Sequence, residues 1–149
     1  MPRLAAIVAI ILVVIGGVVA ALFFYYSQPE PGTAKVAGLR EQDRVARFVA
    51  RFDSLTDARL YPTVWRSGTF LKTSFNDARS EWTLTMSSTD WRRRDDASRR
   101  DLLATLFSAL KGVRAQAGGD PDQAALIIQD EDGKNLAKVS DEDGIVIDR

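Results

Sequence analysis

The chain has 149 residues, with 20 Lys+Arg against 20 Asp+Glu, no histidine and no cysteine. Lacking imidazole and thiolate, it has no Cys/His metal site, no thiol nucleophile, no disulfide and no catalytic triad that relays through histidine. A net charge of zero also argues against a general nucleic-acid binder, whose affinity comes from neutralising many phosphates.

Leu4 to Tyr26 is a run of 23 residues with no charge and no polar side chain except the two terminal tyrosines. As a helix it would be about 34 Å long, enough to cross a hydrocarbon core of ~30 Å with slight tilt. Its 14 Leu, Ile, Val and Phe residues favour insertion, together by roughly 4 to 8 kcal/mol. A cleaved signal peptide is the competing reading, but the run exceeds the usual apolar region of about 7 to 15 residues. Cleavage after Ala21 would also leave Leu22-Phe23-Phe24 as the new start. The expectation is therefore a retained single-pass anchor over residues 1–26.

Phe23, Phe24, Tyr25 and Tyr26 form an aromatic belt at the distal interface, and Arg3 anchors the opposite side. Residues 27–34 carry Glu30 and no Lys or Arg, which favours a cytoplasmic N-terminus and a periplasmic domain, although Lys35, Arg40 and Arg44 follow closely. Within the span, Ala9, Gly16, Gly17, Ala20 and Ala21 are small, and Gly16/Ala20 and Gly17/Ala21 are four apart. That spacing lets a second helix approach closely and gain contact that lipid cannot replace. Ordinary Gly and Ala usage in a spanning helix gives the same pattern without a partner.

Residues 27–33 read as a linker, with two prolines and a glycine. An amphipathic helix is expected next, over residues 34–60, with Val45, Phe48, Val49, Phe52 and Leu55 as its apolar stripe. Beside the stripe, Arg40, Arg44, Arg47 and Arg51 make a basic edge suited to anionic headgroups or an acidic partner. In that reading Phe48 and Phe52 also face lipid or partner. An ordinary helix packing its stripe on its own domain is the alternative, and Asp43, Asp53 and Asp57 dilute the basic character.

After Tyr61-Pro62 the period changes to two. Residues 69–75 read as a strand, Asn76-Asp77-Ala78-Arg79 as a turn, and Glu81 to Met86 as the partner strand, with Trp82, Leu84 and Met86 on one face. Trp91-Arg92-Arg93-Arg94 is the densest basic cluster and a candidate contact for an acidic partner or headgroup, with Trp91 as a stacking face. Asp90, Asp95, Asp96 and Asp101 interleave with it, so a solvated loop with local ion pairs is the plainer reading. A second helix is expected over residues 98–117, buried through Leu102, Leu103, Leu106, Phe107, Leu110 and Val113, with a capping box at Ser98–Asp101 and a stop at Gly118-Gly119.

Three short strands complete the pattern, at residues 124–129, 135–139 and 145–147, separated by Asp-Gly turns at Asp132-Gly133 and Asp143-Gly144. Asp130-Glu131-Asp132-Gly133 does not fit a calcium loop: counted from Asp130, glycine falls at the fourth position rather than at the sixth that loop requires. The fold class expected is α+β: a transmembrane helix, then a small domain over residues 61–149 with an antiparallel sheet covered by one or two helices.

Charge is polarised along the chain. Residues 1–118 carry 17 basic and 11 acidic side chains, residues 119–149 carry 3 and 9. No glycine-rich phosphate loop and no nucleophile beside a base is present, so no enzyme, cofactor, metal or small-molecule substrate is expected. Arginine outnumbers lysine 15 to 5, a bias compatible with a GC-rich bacterial genome and hence an inner-membrane location.

Two functions remain. The first is a non-catalytic accessory or scaffolding subunit of a larger integral membrane complex, a respiratory or photosynthetic one by first guess, with membrane subunits and the lipid bilayer as partners. The second is a free-standing membrane-anchored envelope adaptor or sensor for a soluble partner or ligand.

Overall fold

The computed structural model describes residues 31–148. The anchor residues Arg3, Ala9, Gly16, Gly17, Ala20, Ala21, Phe23, Phe24, Tyr25 and Tyr26 lie outside this range. Among the described residues no helix is long and apolar enough to cross a membrane. The chain divides into two compact units, Met1–Asp43 and Arg44–Arg149, and the second carries the sheet.

Helix α1 runs Pro31–Leu55, so the end of the expected linker is helical. Proline is tolerated in a first turn because its missing N–H has no intrahelical partner there. The helix continues through a π turn, Thr56–Leu60, into α2, Tyr61–Arg66. Pro62 thus does not end the helical run as its position suggested. It falls in the first turn of α2, where no backbone donor is needed.

The π turn has an identifiable cause. Phe52, Thr56, Leu60 and Val64 are all buried and lie four apart. In a straight α-helix such a stripe drifts by about 40° at each step, and one wider turn, with Tyr61 N–H donating to Thr56 O, resets it.

Strands β1, Phe70–Phe75, and β2, Glu81–Met86, form the expected hairpin. Helix α3, Ser88–Arg93, then leads to α4, Asp96–Ala117, and β3, Ala125–Gln129, β4, Asn135–Ser140, and β5, Gly144–Ile147, complete a five-stranded sheet of order β1-β2-β3-β4-β5. The domain is α+β, but the sheet is mixed. β2 and β3 run parallel, Trp82 beside Leu126 and Leu84 beside Ile128, whereas the other three pairings are antiparallel. Parallel neighbours need a crossover, and α3 and α4 supply it.

Helix α4 packs against β3, β4, β5 and the π turn, burying Leu103, Leu106, Leu110 and Val113 on the sheet face that carries Trp82, Leu84, Met86, Leu126 and Ile128. Its start is two residues earlier than the capping-box pattern implied. Asp95 is the N-cap and its Oδ1 accepts from Ser98 N at 2.7 Å. Its end is Gly118, at φ 93°, with Gly119 N donating to Arg114 O at 2.9 Å. Gly119 meets a second demand: a Cβ there would lie 2.5 Å from Phe48 Cε2, so the ring packs where only glycine leaves room.

The sequence-derived contact residues are distributed as follows. Phe52 is 0% exposed and Trp91 3% exposed, so both rings belong to the core. Phe48 and Leu55 are partly buried against it. Trp91 sits in helix α3 and not in a solvated loop, with the Arg99 guanidinium 5.3 Å from its ring centre. Arg40, Arg44, Arg47, Arg51, Arg92 and Arg93 are exposed and Arg94 is half-buried. Arg93 pairs with Asp90 at 3.8 Å.

Candidate functional site

A cleft of about 360 Å³ opens where the end of α1 and the π turn meet the β1–β2 hairpin, lined by Asp53, Thr56, Asp57, Tyr61, Phe75 and Arg79. Helical spacing explains most of the lining. Asp53, Asp57 and Tyr61 are four apart and share one face, with Thr56 beside them.

Arg79 reaches the cleft from the hairpin turn in an unusual backbone conformation, φ 55°, the only positive φ among the described non-glycine residues. Asn76 locks that turn. Its Oδ1 accepts from Ser80 N at 2.9 Å and Glu81 N at 3.1 Å, and its carbonyl accepts from Arg79 N at 3.0 Å. The guanidinium then lies across Asp53, donating Nε–H to Oδ1 at 2.9 Å and Nη2–H to Oδ2 at 3.1 Å. Its remaining nitrogen, Nη1, points at Asn76 O and Asp77 O. The hydrogen bond to Asp53 raises the Arg79 pKa further above its already high value. Because the pair is partly open to water, its net contribution to stability is about 1 kcal/mol or less, and its consequence is positional.

Behind Arg79 stands Arg114 of α4, 3% exposed. It donates Nε–H to Asp120 O at 3.0 Å and Nη1–H to Ala78 O and Arg79 O, and its guanidinium lies 5.4 Å from the centre of the Phe48 ring. Burial lowers its pKa, with Asp120 opposing. One buried cation therefore ties α4 to the turn that aims Arg79.

The apolar wall is Phe75. It stacks on Trp82, centroids 5.6 Å apart and planes 6° apart, and meets Phe52 edge-on at 5.1 Å. Trp82 is held by its Nε1–H donating to Thr73 Oγ1 at 2.7 Å. On the polar side Tyr61 has its pKa raised, first by burial and then by Asp57 and Asp53, so its hydroxyl is neutral at pH 7.

Thr56 is the anomaly. It is 2% exposed and its Oγ1 has no hydrogen-bond partner. A buried hydroxyl normally finds one, and leaving it unpaired costs about 1 to 3 kcal/mol. Thr56→Val keeps the shape and removes the hydroxyl, so it should raise the stability of the domain by about 1 kcal/mol in chemical denaturation. A loss exceeding about 1 kcal/mol would mean that the hydroxyl serves the fold.

None of these six cleft residues was singled out as a site from the sequence. The legible signal was the Asp53/Asp57/Tyr61 spacing just before a proline; Arg79 gave none, since it is read as part of a turn. The basic cluster Trp91–Arg94 lies elsewhere, beside a second depression of about 300 Å³ that Trp91, Arg92, Arg99, Asp130 and Lys134 help to line. Asp130 serves its own turn, with Oδ1 accepting from Asp132 N and Lys134 N. Among the described residues no group of three or more Asp or Glu is placed to hold a metal ion. The chain matches no protein-family model, no curated protein and no solved structure.

Proposed function

We propose that this chain is a single-pass membrane protein whose folded domain is a non-catalytic adaptor or sensor, receiving a soluble partner or ligand in the cleft of Asp53, Thr56, Asp57, Tyr61, Phe75 and Arg79. The observation that carries this reading is a polar cleft whose Asp57 carboxylate is left open beside the Asp53–Arg79 pair, with the unpartnered Thr56 hydroxyl buried in its wall. A fold that tolerates such a group at a polar cleft gains from a ligand that satisfies it. The absence of histidine and cysteine supports a binding role over a catalytic one. The apolar run at residues 4–26 supports a membrane anchor, and the lack of Lys and Arg over residues 27–34 favours a cytoplasmic N-terminus and a periplasmic domain.

A second reading, an accessory subunit of a larger membrane complex, is favoured by the exposure of Trp65 (49%) and Leu71 (59%), large apolar side chains either side of the α2–β1 turn. One experiment separates the two. Full-length protein with a C-terminal tag is purified in mild detergent as wild type, as Asp57→Asn, and as Trp65→Ser with Leu71→Ser. The adaptor reading expects capture to fall at least tenfold in Asp57→Asn and to persist in the double variant. The opposite pattern would make the protein an assembly subunit.

A further inference from the structure

We propose that the cleft recognises a primary ammonium group carried on an alkyl chain. This rests on the adaptor reading and specifies its ligand.

Charge comes first. The cleft holds two carboxylates, Asp53 and Asp57, against one guanidinium, Arg79. Arg79 is engaged at all three nitrogens, two donating to Asp53 and the third facing Asn76 O and Asp77 O. An anionic ligand would face two carboxylates and find as donors only hydroxyls and the outer edge of a guanidinium already neutralised by Asp53. A cation meets Asp57 directly, because among the described residues no hydrogen bond or ion pair engages its carboxylate.

Hydrogen-bond inventory comes second. An ammonium offers three donors and no acceptor, whereas a guanidinium is a planar fork. Acceptor capacity predominates in the cleft wall: the Asp57 carboxylate accepts only, the neutral Tyr61 hydroxyl can accept, and the buried Thr56 Oγ1 has no partner. Such a set suits three divergent N–H bonds better than a flat fork. A bare metal ion is the poorer occupant, because only two carboxylates are present and one of them is engaged by Arg79.

Shape comes third. Phe75 contributes a ring stacked on Trp82 and held in T-shaped contact with Phe52. Methylene groups pack against such a ring, and a cation beside an aromatic face gains further attraction. At about 360 Å³ the cleft accommodates a four-carbon amine, and also the end of a lysine side chain. The same chemistry thus has two sources, a free small amine or a lysine displayed by a protein partner.

The test uses full-length protein in nanodiscs, titrated while the methyl resonances of Thr56 and Leu60 are observed. The probes are n-butylamine, n-butanol, n-butyrate, and a short capped peptide containing one lysine. Saturable shifts with n-butylamine are expected at concentrations at least tenfold below those needed for n-butanol or n-butyrate. Asp57→Asn should weaken binding at least tenfold. Thr56→Val, read at Leu60, should weaken it about threefold to tenfold. Glu142→Gln, in the turn before β5 and outside the cleft lining, should leave binding unchanged. Tighter binding of the lysine peptide than of n-butylamine assigns the source to a partner's lysine, and the reverse assigns it to a free amine.

Saturation by butyrate at equal or lower concentration, equal binding of butanol, no saturation by either amine, or indifference to Asp57→Asn each overturns the proposal. If partner capture still depends on Asp57 in any of these cases, the adaptor reading stands and only the ligand class is rejected.

Discussion

Replacing Trp82 with alanine should destabilise the domain by about 3 to 5 kcal/mol, the range for deleting a fully buried aromatic side chain. Three losses add up at this position. The side chain has no exposed surface, its indole N–H holds Thr73 Oγ1 at 2.7 Å, and its ring backs Phe75 at 5.6 Å. Trp82 also stands at the parallel junction, opposite Phe75 on one side and Leu126 on the other, so a cavity there loosens both pairings. Since domains of this size are stable by only about 5 to 15 kcal/mol, a loss of about 3 to 5 kcal/mol removes from roughly a fifth to all of the wild-type margin. Far-UV circular dichroism during urea denaturation reads the change without relying on tryptophan emission. Trp82→Phe should recover roughly half of the loss, because it restores the stacked ring but not the hydrogen bond. A shift below about 1 kcal/mol for Trp82→Ala would mean that the sheet does not depend on this contact.

Arg114→Met should cost about 2 to 4 kcal/mol, because the variant leaves the carbonyls of Ala78, Arg79 and Asp120 without their buried donor. Exchange of a buried charge for an apolar side chain is neutral in some proteins, where the charge had been paired at a high desolvation cost and both partners are replaced. Here only one partner is replaced, and the three carbonyls remain. The Phe48 ring also loses its cation at 5.4 Å. Arg114→Lys should rescue little, since a single ammonium cannot reproduce the planar fork that reaches Asp120 O and the hairpin turn together. Amide hydrogen exchange adds a local readout. Protection at Arg79, Ser80 and Glu81 should fall in Arg114→Met by more than the global loss accounts for, as the turn comes free of α4. Unchanged protection there would show that Asn76 alone holds the turn.

Local pattern alone determined much of this protein. Period-two alternation at residues 81–86 marks β2 to the residue, and the Asp-Gly turns at Gly133 and Gly144, with φ of 81° and 66°, delimit the last three strands. The stripe Leu103, Leu106, Leu110 and Val113 and the glycine after Ala117 mark α4. All of these are set by neighbours within a few residues, where side-chain period and turn chemistry suffice.

The tertiary structure decided what depends on distant partners. Hairpin turns on either side of α3 and α4 suggested an antiparallel sheet throughout. The parallel pairing of β2 with β3 arises because those helices must return across one face of the sheet to bury their stripe. Trp91 read as an exposed stacking face within a charged loop, yet its neighbours in sequence say nothing of the core it enters. Asp53 looked like a residue that merely diluted a basic helix edge, and Arg79 like one position of a turn. Their pairing across 26 positions exists only once α1 and the hairpin pack together. Thr56 is the clearest case. A threonine in a helix is unremarkable in sequence, and only the π turn and the α4 packing on it show that its hydroxyl is buried without a partner.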